Sequence, residues 1–205
     1  MGETALPQAD DFDANFDASL GARMHALRSA QGLTLEALAG RAAVSRAMLS
    51  RIERGESSPT AHLLGRICGG LDITLAALFT AEAAGPGNPN ARPIARRAEQ
   101  PVWRDPETRY LRRQVSPAGT GSPVDIVEVE IPAHGRVAFD AQHLPGADQH
   151  IWVLDGALEL TLGEETFRLE QGDCLRMRFG QPVRFRNPAP HPIRYAVILS
   201  HGAMP

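Results

Sequence analysis

Thr34 to Gly55 reads TLEALAGRAAVSRAMLSRIERG. Two short helices fit this stretch. Thr34 caps the first, which carries Leu35, Leu38 and Ala39. Ser45 caps the second, with Val44 just before it and Leu49 four positions in, the spacing of a hydrophobic staple. At about 100° per residue, Met48, Leu49 and Ile52 gather on one side of the second helix. Arg46, Ala47, Ser50, Arg51 and Arg54 cover the opposite arc of about 140°. One face is therefore core, and the other interleaves arginines with small residues.

Further helices are marked on both sides. Leu20, Met24 and Leu27 fall at i, i+4 and i+7 ahead of Gly32, Pro59-Thr60 opens a run with Leu63, Leu64 and Ile67, and Thr74 opens LAALF. Residues 19–80 thus form a five-helix bundle behind an acidic tail, 1–18. The Gly-, Pro- and Asn-rich AEAAGPGNPNARP (Ala81 to Pro93) begins a linker assigned to 81–100. Beyond it VDIVEVEI, HIWVL, ALELTL, TFRL, CLRMRF, VRFR and IRYAVIL are short, turn-bounded and β-rich, which predicts an all-β sandwich or barrel over 101–205. The fold class is therefore a two-domain α+β chain, helical bundle first and barrel second.

Composition excludes some classes. There is no apolar run of the roughly 18 residues a membrane span requires, and the acidic start lacks a secretory pattern. The two cysteines, Cys68 and Cys174, lie far apart in apolar segments, which predicts a reducing cytoplasm and no disulfide. Net charge is −3, but it is unevenly spread: Gly21 to Pro59 carries six arginines against three glutamates. This basic module suits a DNA groove. Arginine can clasp guanine O6 and N7, and a small neighbour leaves room for a thymine methyl. The candidate DNA-binding residues are Thr34, Ser45, Arg46, Ala47, Ser50, Arg51 and Arg54. Glu53, at the edge of that face, is expected to pair with a first-helix arginine such as Arg23.

The pieces L-x-x-R, G-L-T-L-E-x-L-A, V-S-x-x-x-L-S-x-I-E-R-G, P-T and L-x-x-L-F, in that order over about sixty residues, resemble the lambda-repressor-like helix-turn-helix of the XRE family. Two positions depart from its pattern. Leu35 stands where glutamine often contacts phosphate, and Ala43 stands where the turn usually has glycine. A left-handed alanine there costs about 1–2 kcal/mol.

The β half after such a domain resembles the XRE–cupin regulators, which implies a double-stranded β-helix jelly roll. Gly156, Gly172, Gly180 and Asn187 keep the cupin register. At the metal-ligand positions only His143 matches, with Pro145, Gln149 and Val183 at the others. Valine and proline side chains donate nothing to a metal, and neutral glutamine replaces carboxylate poorly. If Gln149 points inward, its strand neighbours Asp148 and His150 point out. The expectation is a barrel without metal, cofactor or catalytic residues. His143, Gln149, Ile151, Val153, Val183 and Phe185 would line an effector site, and Arg178 at its mouth would clasp a carboxylate. His150 and Trp152 fall on the outward parity, as a dimer contact or as packing against the domain's first strands. WRDPETRYLRRQVSP carries no assignable chemistry. The expected partners are double-stranded DNA, a small-molecule effector and a second copy of the chain, with no membrane. The alternatives are a metal-dependent cupin oxygenase or isomerase with a DNA-binding appendage, and a DNA-binding protein whose barrel only dimerises.

Overall fold

The computed structural model describes residues 9–79, 90–144 and 146–201, with side chains described from residue 17 to residue 200. Residues 1–8, 80–89, Pro145 and 202–205 lie outside the described residues, among them 81–89 of the expected linker.

The N-terminal half holds five helices: α1 (Ala9–Ala30), α2 (Leu35–Ala42), α3 (Arg46–Glu53), α4 (Ala61–Gly70) and α5 (Leu75–Phe79). The first starts well upstream of Leu20 and takes in part of the acidic tail. The caps read from sequence are formed: Thr34, Ser45 and Thr60 accept hydrogen bonds from the amides of Ala37, Met48 and Leu63. Helix α2 ends on Ala43, left-handed at φ 50° and ψ 43°, so the chain holds alanine in a conformation that disfavours its Cβ. Gly21 packs against the end of α3 so closely that a Cβ there would come within 2.3 Å of the Ile52 carbonyl oxygen. Met24, Leu38, Leu49, Ile52 and Leu64 fill the core of the bundle.

The C-terminal half is a two-sheet antiparallel jelly roll. One sheet, β1-β2-β3-β10-β5-β8, comprises β1 (Val102–Arg104), β2 (Leu111–Gln114), β3 (Val124–Ile131), β10 (Ile193–His201), β5 (Ala147–Asp155) and β8 (Cys174–Arg178). The other, β4-β9-β6-β7, comprises β4 (Arg136–Phe139), β9 (Val183–Arg186), β6 (Leu158–Leu162) and β7 (Glu165–Leu169). The retained cupin residues are those that shape this fold. A Cβ on Gly156, at φ 82°, would meet Ile193 Cγ2 at 2.6 Å. Asn187 is fully buried, and its amide nitrogen donates to the carbonyls of Ile131, Pro132 and His191.

The halves are in direct contact. Asp105, only 1% exposed, accepts the Ala61 N–H at 2.5 Å, so a barrel-side carboxylate sits at the start of α4. Gln142 donates to the Gly65 carbonyl at 2.7 Å, and a Cβ on Gly65 would meet the Phe139 ring at 2.8 Å. Aromatic rings continue inward from α5: Phe79, Trp103, Tyr110, Phe139, Phe185 and Tyr195 follow one another with centroids 5.6–6.4 Å apart.

Candidate functional site

Helix α3 presents the face expected of it. Leu49 and Ile52 are buried, while Ser45, Arg46, Ala47, Arg51 and Arg54 are exposed and Ser50 is half-buried. Thr34, also exposed, and Ser45 accept from their helices' amides, which leaves each hydroxyl hydrogen free to donate outward. Arg54 is already engaged. Its guanidinium makes two hydrogen bonds to Glu56, at 2.6 and 2.7 Å, and one to Ser50 Oγ at 2.5 Å. The pair is exposed, so a phosphate can compete for this arginine at small cost.

Glu53 takes Arg28 rather than Arg23. Arg28 Nε and Nη2 reach its two oxygens at 2.6 and 2.8 Å, and His25 Nδ1 adds a contact at 3.1 Å. The reason lies in α1. Gly21, His25 and Arg28 share the face laid on α3, whereas Arg23 falls about 200° round from Gly21. Arg23 Nε is buried without a partner, and burial lowers this guanidinium's pKa. Burial pushes the Glu53 carboxyl up, but hydrogen bonds and charge from Arg28 and His25 outweigh it and hold the group below its usual value.

Inside the barrel lies a cavity that opens in part to solvent and leaves about 60 Å³ for the centre of a water-sized sphere. Of the expected effector residues, Gln149, Val183 and Phe185 line it. Ile151 and Val153 were expected there too, but they are buried in the core and are not part of its wall. Two further expectations are corrected. His143 is exposed; its neighbour Gln142 turns to the cavity and is held there by the Gly65 carbonyl. Arg178 is also exposed: Gln149 pairs in register with Met177, so strand alternation sends Met177 inward and Arg178 out. The outward assignment of Asp148 and His150 agrees with the register, and Asp148 pairs with Arg176 at 2.7 Å. Cys68 is fully buried, which pushes its thiol up to about 12, whereas Cys174 is exposed although it lies in an apolar segment.

The residues present do not fit a cupin metal. Gln149 and Val183 reach the cavity wall without a carboxylate or imidazole, and His143 is outside it. Among the described residues there is no group of three His, Cys, Asp or Glu side chains placed to hold an ion.

Sequence reasoning missed the most polar part of the wall. Tyr110 and Arg112 line the cavity from the start of β2, Tyr195 lines it from β10, and Thr74 and Leu75 close it from the helical half. Arg112 is 7% exposed and Tyr195 is fully buried. The signal in the sequence was slight: LRRQ sets two successive arginines in a β-rich half, and strand alternation turns one of the two inward without saying which.

Comparisons with known proteins agree with this architecture. Residues 19–78 match the helix-turn-helix domain family, and residues 127–199 match the cupin domain family. The chain is an XRE-type helix-turn-helix regulator with a C-terminal cupin domain. It is 25% identical to the HTH-type transcriptional regulator SutR of Escherichia coli (strain K12), over 91% of this chain and 97% of that one. A solved HTH_3 family transcriptional regulator from Vibrio cholerae is 26% identical with a TM-score of 0.71, covering 92% of this chain and 98% of that chain. Hydroxypropylphosphonic acid epoxidase from S. wedmorenis is more distant, at 15% identity and a TM-score of 0.46, over 90% and 97% of the two chains.

Proposed function

We propose that this chain is a cytoplasmic, sequence-specific transcriptional regulator that binds its operator as a homodimer, and whose barrel takes a small-molecule effector without a metal. The exposed Arg46, Ala47 and Arg51 on α3 carry the DNA reading. Their side chains stand clear of the bundle, with Thr34 and Ser45 at the two helix starts as phosphate donors. A single helix reads few base pairs, so two subunits with half-sites about one helical turn apart are needed for operator affinity. The cavity supports a receptor over a barrel that only dimerises, because a purely structural barrel has no need of empty space at its centre. Its closure by Thr74 and Leu75 supports a mechanism in which a ligand biases how the helical half is seated, and so how paired recognition helices are spaced.

Selection of bound sequences from randomised duplexes, followed by titration at several salt concentrations, tests this reading. Arg46→Ala and Arg51→Ala should each lose about 1–3 kcal/mol against the selected site. Arg54→Ala should weaken all sequences alike and flatten the salt dependence. Intact operator binding by the Arg46→Ala, Arg51→Ala double variant would refute the assignment of α3. Protein purified without chelator should carry far less than one equivalent of iron, manganese, zinc or nickel, and adding these ions should not raise its Tm.

A further inference from the structure

Resting on the receptor reading, we infer that the effector is a small carboxylate with an apolar body, its anionic group seated on Arg112 beside the hydroxyls of Tyr110 and Tyr195 under the α5 end of the DNA-binding domain. Arg112, Val129, Tyr195 and Val153 lie side by side across the six-stranded sheet on its inner face. Arg112 is 93% buried by its 7% exposure, yet no carboxylate of the described residues lies within ion-pair distance. Its one hydrogen bond is from Nη1 to the Tyr110 hydroxyl at 3.0 Å, and its Nε has no partner. The Tyr195 hydroxyl, fully buried, makes no hydrogen bond of normal geometry, although the Tyr110 hydroxyl lies close enough to act on it. A buried guanidinium left in this state is costly, and so is a buried hydroxyl without a well-formed hydrogen bond. A carboxylate satisfies both: it matches the guanidinium fork with two oxygens and accepts from a phenol. Burial raises the Tyr195 phenol well above its usual pKa, so it meets an anion as a neutral donor.

The remaining wall sets the rest of the ligand. Val183, Phe185, Val197 and Met177 are apolar, Gln149, Gln142 and Gln181 offer neutral amides, and the one carboxylate of the wall, Asp140, is 63% exposed and lies 3.8 Å from His62 Nε2. The site also spans the two domains, because Thr74 and Leu75 belong to the helical half. Arg112 is close enough to α4 for its charge to act on the buried Cys68 thiol. Neutralising this arginine therefore changes the field at the seam between the halves.

The experiment uses the full chain with phenylacetate and hexanoate as probes, each against its uncharged amide, at millimolar concentrations. Melting temperature and calorimetric affinity are read. The carboxylates should raise Tm in a concentration-dependent way and the amides should not. Arg112→Met should abolish the shift, while Arg178→Ala, on the outer surface, should keep it. Tyr195→Phe covers the case in which Arg112→Met does not fold. It removes a buried hydroxyl that makes no well-formed hydrogen bond, so its Tm without probe should hold or rise while carboxylate affinity falls several-fold. A merely structural tyrosine would not give that split. Equal shifts from the amides, a carboxylate shift that survives Arg112→Met, or no shift from either carboxylate overturns the inference. Amide shifts alone leave a receptor for neutral ligands standing, and operator affinity measured on the same unliganded protein tests the DNA reading separately.

Discussion

At the scale of single residues, two side chains hold conformations or charges that can be tested directly. Ala43 ends α2 in the left-handed region, where only glycine is free of Cβ strain. Ala43→Gly should stabilise the chain by about 1 kcal/mol, since relief of strain exceeds the added entropy of the unfolded state. Urea denaturation midpoints at constant m decide it. Glu53, with a side chain only 6% exposed, is clasped by Arg28. Its folded pKa lies below the ordinary carboxylate value, so its contribution is complete above that ordinary value, about 4.3. It is lost as pH falls through the lowered folded value. Glu53→Gln should cost about 3 kcal/mol near neutrality, because it leaves a buried guanidinium unpaired. The gap to the parent should narrow in acid; a pH-independent gap would mean the pair contributes packing alone.

At the scale of elements, the seam between the two halves is where α4 meets the barrel. The amides at the start of a helix have no partner within it, and here Asp105 supplies one from the other domain. The same carboxylate accepts the N–H groups of Glu107 and Thr108 at 2.8 and 2.7 Å, which fixes the turn leading to Tyr110 and Arg112. Asp105→Ala should therefore cost about 1–3 kcal/mol. It should also separate the two halves in unfolding: helical circular dichroism and tryptophan fluorescence, coincident in the parent, should no longer coincide. Coincident transitions in the variant would show that Gln142 on Gly65 and the Phe79–Trp103 contact hold the seam without it.

At the scale of the whole molecule, the outer face of the six-stranded sheet carries a small apolar patch set among charged residues such as Arg113, Glu128 and Arg176. Trp152 is 46% exposed and Ile126 38%, and both lie on the outward parity beside Ala196 and Ile198. Dimerisation through this face is the proposed route to a two-half-site operator. Trp152→Glu should shift sedimentation from dimer to monomer and weaken operator binding, while ligand-dependent Tm shifts persist. A fragment ending near residue 85 should be monomeric and bind the operator far more weakly. An intact monomer that still protects a full palindrome would remove the dimer from the mechanism.

What the sequence determined by itself was local. Caps at Thr34, Ser45 and Thr60 and the apolar spacing of α3 depend on neighbours three or four residues away, so the bundle and its arginine face were legible without coordinates. Strand alternation likewise placed Gln149 inward and Asp148 outward. Alternation stops at loops, however, and His143 and Arg178, which stand exposed outside the cavity wall, needed it carried through one; it also cannot tell which inward residues, such as Ile151 and Val153, pack in the core rather than at the wall. The tertiary structure alone decided which residues share the cavity. Register across β2, β3 and β10 sets Arg112 in line with Tyr195, more than eighty positions away in the chain. The packing of α4 and α5 on the barrel then buries that arginine and makes the DNA-binding half part of the wall. A run such as LRRQ shows only that a charge exists; its burial, and hence its need for an anion, is set by elements that the run itself does not specify.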